Sequence, residues 1–277
     1  MVDDKDSMQT KILQELRKTG FPTEIICASV MQKCGWGVLH NPSYWDDSEK
    51  VSREFDIRAY KKWKYITPLG DHFISVYLIS ECKKSEKPWV FFSTPETHYP
   101  GLSKFIKTPD TFIFSSSHPE GQISDTILTE THHYFKNSKL ARTFYEPFKG
   151  QEKSDTSQMI YSAIMSSVKA TLFHSQDRRS DEYTNIYYPI IIFNGNMYEA
   201  QVKSPNDIEL VPSEYIQLSF NYVLPKSSEY NTIWERQERF IIDVIRYDYL
   251  EKYLDLIECE HAKMAEYIQN SYIDDSK

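Results

Sequence analysis

The chain is poor in glycine, with 8 in 277 residues, and has no low-complexity stretch, which excludes a collagen-like or linker-dominated protein. Its longest apolar runs, such as Tyr187 to Phe193, fall far short of the roughly 20 residues that a membrane-spanning helix needs. Met1 to Thr10 is polar and acidic, without the basic-then-apolar order of a secretory leader, so a cytoplasmic protein is expected. The four cysteines, Cys27, Cys34, Cys82 and Cys259, stand apart with no CxxC pair, which argues against a zinc ribbon or a disulfide framework. The histidines lack metal-ligand spacing, and the neighbours His132 and His133 are expected to point different ways on a helix. No GxxxxGK[ST] occurs, so NTP-driven action would need a partner subunit.

Aromatic residues are plentiful, with 20 tyrosines and 15 phenylalanines, and 40% of the chain is hydrophobic. That suits an α/β fold with a well-packed sheet. A net charge of −8 argues against coating nucleic acid through overall electrostatics, but the charge is unevenly placed. Lys50 to Lys64 carries six basic residues against two acids, whereas Glu229 to Lys277 carries twelve acids against six bases. Arg53, Arg58, Lys61, Lys62 and Lys64 are therefore the candidate contacts for a phosphate backbone. Trp63, inside that stretch, is a candidate for stacking on a base.

Helical spacing covers about Ser7 to Lys18, and a second helix is expected from Pro22 to a stop near Gly35. Trp36 to Trp45 and Val51 to Tyr60 read as two strands joined by an Asp46-Asp47-Ser48 turn. Phe73 to Lys83 and Trp89 to Ser93 continue the run of strands. Residues 94–150 read as an insertion with a short helical stretch near Thr126 to Phe135. Asp155 to Phe173 has an amphipathic helical pattern, and Ile186 to Phe193 is apolar enough for a strand buried on both faces. Asn194-Gly195 is a hairpin signal that predicts Met197 to Val202 pairing back on that strand. Strands at Tyr215 to Val223 and Phe240 to Tyr247 and a long helix from Tyr249 to Gln269 complete the reading. Residues 1–200 form the expected core and residues 201–277 a carboxy-terminal β/α extension packed on it, as an extension of the sheet or as a dimer face.

Alternation along a strand puts Glu54, Asp56 and Arg58 on one face and Phe55, Ile57 and Ala59 on the other. The next strand is apolar until Ser80 and then turns into Glu81-Cys82-Lys83. Two carboxylates and an amine gathered at the end of a buried strand are costly unless compensated, and a divalent cation is a natural compensation. Hard oxygen donors suit Mg²⁺, with Mn²⁺ as a substitute. A salt bridge of Asp56 with Arg53, Arg58 or Lys83 is the bland alternative.

Asp56 followed by Glu81-Cys82-Lys83 resembles the signature of the PD-(D/E)xK, restriction-endonuclease-like nucleases, among them the Mrr-like and resolvase-like enzymes. The resemblance implies an α-β-β-β-α-β core with a central mixed sheet flanked by helices. It implies that Asp56, Glu81 and the Cys82 backbone carbonyl hold the metal and that Lys83 is the catalytic lysine. Some members add an acid from the helix before the first strand, a place occupied by Glu24, and some carry a glutamine on the crossover helix, which Gln158 matches loosely. Tyr161 is one residue short of the QxxxY spacing of RecB-like members, and Phe55 stands where the nominal proline would be. The implied activity is metal-dependent endonucleolytic hydrolysis of DNA, with RNA the other eligible polymer, in defence or repair, by a homodimer or with a partner subunit. The rival expectation is a non-catalytic nucleic-acid-binding or scaffold protein that keeps the fold.

Overall fold

A computed structural model of the chain describes residues 3–68, 70–95, 113–116, 132–136, 139–148, 158–175, 183–223 and 237–274. Two helices open it, α1 (Asp3–Lys18) and α2 (Phe21–Lys33), and Pro22 sits in the first turn of α2, where a missing N–H is tolerated. Gly35 takes a left-handed φ of 79° just past α2. There its N–H donates to the Gln32 carbonyl at 2.9 Å and the Trp36 N–H donates to the Met31 carbonyl at 3.0 Å. These bonds satisfy carbonyls that the helix end would orphan, in a conformation glycine adopts without strain.

The expected strand from Trp36 to Trp45 is two strands, β1 (Gly37–His40) and β2 (Ser43–Asp46). Asn41 adopts φ 47° between them, and Pro42 has no N–H with which to continue a ladder. The returning segment breaks at the same level, into β3 (Val51–Glu54) and β4 (Ile57–Thr67). The Asn41 N–H donates to the Asp56 carbonyl at 3.0 Å and the Phe55 N–H to the Pro42 carbonyl at 3.1 Å, so both chains turn one corner together. Beyond it, β2 and β3 form a separate two-stranded ribbon, while β1 and β4 pair in the main sheet. The alternation expected for residues 54–59 fails at this corner. Phe55 packs with Tyr44, Ile79 and Ala170, whereas Ile57 and Ala59 join Cys27, Ala28 and Met31 in a different cluster.

The remaining strands are β5 (Gly70–Lys84), β6 (Trp89–Pro95), β7 (Ile113–Ser116), β8 (Lys139–Tyr145), β9 (Tyr183–Asn194), β10 (Met197–Ser204), β11 (Asp207–Pro212), β12 (Tyr215–Val223) and β13 (Gln237–Arg246). The helices are α3 (His133–Lys136), α4 (Gln158–Ser175) and, after a 3₁₀ turn at Tyr247–Tyr249, α5 (Leu250–Asp274). Among the described residues, eleven strands form one mixed sheet in the order β1-β4-β5-β9-β13-β12-β8-β6-β10-β11, with β7 also against β9. β5, β9 and β13 run parallel at its centre. β8, which falls within the residues read as an insertion, lies between β12 and β6, and the later strand β13 pairs directly with β9.

Asn194-Gly195 does not make the expected hairpin: β10 pairs with β6 and β11 instead of β9. Both edges of β9 are already taken here, by β5 and β13. Glycine is needed for space, because a Cβ on residue 195 would lie 2.5 Å from the Ser85 carbonyl oxygen and 2.5 Å from the Phe193 ring.

Apolar residues fill both sides of the sheet. Ile74, Leu78, Ile190 and Ile192 pack beneath α2 and α5, and Ile191, Phe193, Ile242 and Val244 pack against Ile160, Ala163, Ile164 and Val168 of α4. Burying a side chain of the size of Leu78 or Ile190 contributes about 1.5–3 kcal/mol. The result is a three-layer α/β arrangement with a large mixed sheet flanked by helices. Among the described residues no helix is long and apolar enough to cross a membrane.

Candidate active site

Glu81 and Lys83 lie near the end of β5, on the strand face that Ile79 presents toward α4. Cys82 between them turns the other way, into the core beneath α2 and α5. β4 and β5 pair with Ile57 opposite Ser80, which brings the preceding residue, Asp56, beside Glu81. The sequence pattern places Asp56 within a strand from Val51 to Tyr60; in the structure it occupies the bend between β3 and β4 instead. The corner at Phe55-Asp56 takes it out of the ladder, and the Cys82 N–H donates to its Oδ2 at 2.6 Å.

Lys83 Nζ lies 2.5 Å from Glu81 Oε2 and 3.9 Å from Asp56 Oδ2. The Ser166 hydroxyl of α4 donates to the other Glu81 oxygen. Burial pushes the Glu81 carboxyl up; Lys83 opposes the rise and the Asp56 charge adds to it. Burial acts to lower the Lys83 ammonium, but the Glu81 and Asp56 charges outweigh it and hold the group above the usual lysine value. Glu24, in the first turn of α2, is raised by burial and then by the Asp56 charge, with Lys83 opposing. The four expected residues therefore share one electrostatic neighbourhood.

A cleft of about 780 Å³ opens over Asp56, Glu81 and Lys83, walled by the β2–β3 ribbon and by α4. Its carboxylates are Asp46, Glu49, Glu54, Asp56 and Glu81, and its cations are Arg53, Lys83 and Lys169. Asp46 ties the two walls together. Its Oδ2 accepts from Lys169 Nζ at 2.8 Å and Arg53 Nε at 3.0 Å, and its Oδ1 accepts from the Ser48 hydroxyl at 2.6 Å and the Ser48 N–H at 3.0 Å. Burial alone would raise the Asp46 carboxyl; hydrogen bonds from Lys169, Ser48 and the Glu49 N–H overcome it and hold the group well below the usual carboxylate range.

No family model, curated protein or solved structure matches this chain.

Several candidate residues stand elsewhere. Gln158 is the exposed first residue of α4 and does not line the cleft; Tyr161, one turn on, does. The basic stretch does not form one patch: alternation along β4 turns Lys61 away from Arg58, Lys62 and Lys64, and Arg53 lies on β3 beyond the corner. Arg53 lines the cleft, but Arg58 lies over the Tyr77 ring at 4.9 Å and Lys64 pairs with Asp71 at 2.6 Å. Lys61 binds Glu258 of α5 at 2.7 Å, and Lys62 is exposed. Trp63 packs against Trp36 and His261 instead of offering a free stacking face. His132 and His133 do not diverge: their rings stack at 4.6 Å, because α3 begins only at His133.

Asp46, Ser166 and Lys169 were missed. Ser162, Ser166 and Lys169 follow the helical period on the side of α4 opposite its buried face, a signal present in the sequence. Asp46 carries the side-chain-to-backbone bonding of a turn-forming aspartate, which hides its second role.

Proposed function

We propose that the chain is a metal-dependent nuclease that hydrolyses phosphodiester bonds of nucleic acid, with DNA as the principal substrate and a setting in defence or repair. The observation that carries this reading is the meeting of Asp56, Glu81 and Lys83 at one strand end on the floor of a cleft. The order α2, β1, β4, β5, α4, β9 supports it, since it follows an α-β-β-β-α-β core once the ribbon and the other inserted elements are set aside.

The residues present fit a Mg²⁺ or Mn²⁺ ion. Asp56 and Glu81 are hard oxygen donors on a site whose burial disfavours charged carboxyls, and the cleft retains more acids than bases. Asp56 and Glu81 would hold the ion, with the Cys82 carbonyl and Glu24 as further ligands by resemblance. Such an ion, when bound, makes water a stronger nucleophile and screens charge on the phosphate. Lys83 places an ammonium beside both carboxylates, where it neutralises charge developing on the substrate and orients water. Ser166 fixes Glu81 from the helix side, and Arg53 and Lys169 put positive charge on the cleft walls where a phosphate backbone would enter.

The test is cleavage of single- and double-stranded DNA and RNA in Mg²⁺ or Mn²⁺ by wild type, Asp56→Ala and Lys83→Ala. Each substitution is expected to lower the rate by about 10²–10³-fold, the cost typical of losing one group that stabilises a transition state. Lys83→Ala keeps most substrate binding. Equal cleavage by wild type and Asp56→Ala would overturn the assigned site, and no cleavage of any substrate by wild type would favour a non-catalytic binding protein.

A further inference from the structure

On the opposite face of the sheet, His132, His133 and Glu260 are buried with a ligand atom from each within 4.8 Å of the others. We propose that these three residues bind a divalent transition-metal ion, zinc by donor type, that fastens the start of α3 to the C-terminal helix α5. The site is separate from the cleft and does not depend on the nuclease reading.

Charge is the first argument. Asp243 and Glu260 are both buried, and among the described residues the ion pairs given to either involve His133 alone, with Nδ1 2.7 Å from Glu260 Oε2 and Nε2 3.1 Å from Asp243 Oδ2. Two carboxylates around one imidazole leave a net negative charge even when that ring is protonated. Exchanging the ring proton for a dication brings the group to neutrality, which removes the cost of an uncompensated buried charge.

The second argument is an unused acceptor. Glu260 Oε1 is buried and has no hydrogen-bond partner among the described residues. Such groups are rare in folded proteins, and an ion at Glu260 would satisfy it.

The surroundings are also those of a metal-binding histidine. With an ion on the Glu260 side of His133, the Nε2–H is left to donate to Asp243, the carboxylate–histidine arrangement that orients metal ligands. Asp243 is itself held by the hydroxyls of Tyr253 at 2.7 Å and Tyr215 at 2.8 Å. His132 gives up a hydrogen bond, either to the Tyr188 hydroxyl or from the Tyr134 N–H, and Tyr188 keeps His261 at 3.1 Å. Donors about 2.0–2.2 Å from zinc lie roughly 3.4 Å apart, so the 2.7 Å contact between His133 Nδ1 and Glu260 Oε2 opens slightly on binding, while His132, with its ligand atom within 4.8 Å of the others, supplies the third donor. Two nitrogens and a carboxylate suit zinc and leave a fourth position for a water or a further donor; it is the burial of all three side chains that suits a structural ion.

The test is metal analysis of the full chain after incubation with zinc and gel filtration. Wild type is expected to retain about one zinc per chain at this site, whereas His132→Gln and Glu260→Gln retain less than about a tenth of that. The Asp56→Asn/Glu81→Gln double variant keeps its zinc, which places the ion away from the cleft. Asp243→Asn weakens zinc affinity by about 10–100-fold. Should the ligand variants not fold, wild type stripped by a chelator decides: its melting temperature falls and zinc restores it, and refilling with Co²⁺ gives the strong visible absorption of a low-coordinate site. Wild type that retains no zinc, or ligand variants that retain as much as wild type, would overturn the proposal.

Discussion

Asp46 is the residue on which the cleft's shape turns, because one carboxylate joins the β2–β3 ribbon to α4 through Lys169. Its folded-state pKa is depressed, so its contribution to stability is fully present above the ordinary unfolded value of about 3.9. That contribution disappears as the pH falls below this value toward the still lower folded one. Acid unfolding followed by circular dichroism should be less steep below pH ~4 for Asp46→Asn than for wild type; identical curves would remove Asp46 as a source of the pH dependence. Ser166 makes a different prediction. It touches Glu81 and, by our reading, no substrate, so Ser166→Ala should lower cleavage by about 10–100-fold, as losses of groups orienting metal ligands do. Restoring the hydroxyl with Ser166→Thr should recover part of that rate. A Ser166→Ala rate equal to wild type would show that the hydroxyl does not position Glu81.

At the scale of elements, sequence pattern located the long helices and central strands but not the corner. Ile186 to Phe193 was legible as a buried strand because apolar side chains are needed on both faces, and Ile160, Ala163, Ile164 and Val168 marked the inner side of α4. Glu81 and Lys83 were legible because charge follows directly on an apolar run. The corner carried a weaker signal, the turn-prone Asn41-Pro42 pair, which strand pattern on both sides obscured. The partner of β10 carried none, since pairing with β6 depends on which strand edges remain free. Asn194-Gly195 misled because a glycine needed for space looks in sequence like one needed for a turn. Accordingly, Gly195→Ala should destabilise the fold by about 1–3 kcal/mol in denaturant unfolding, the usual cost of overpacking. An unchanged midpoint would mean that the Ser85 carbonyl and the Phe193 ring shift without penalty.

Across the whole molecule the sheet mixes pairing between sequence neighbours, as in β4–β5, β10–β11 and β12–β13, with pairing between distant segments. Asp56, Glu81 and Lys83 belong to the β4–β5 hairpin and its flank, where pairing is between neighbours in sequence. β5 with β9 and β6 with β10 join segments far apart in the chain. Such non-local parallel pairing predicts folding slower than the microsecond-to-millisecond range of helical bundles, and stopped-flow refolding monitored by tryptophan fluorescence will test this.

The local origin of the cleft floor also separates two ways in which a substitution can silence the protein. Changes in strands remote from the cleft, such as β10 and β11, should reduce how much folded protein a cell maintains while each surviving molecule turns over at the normal rate. Changes at Asp56, Glu81 or Lys83 should leave abundance near normal and remove turnover. Measuring both in one set of variants would tell damage to the scaffold from damage to the chemistry.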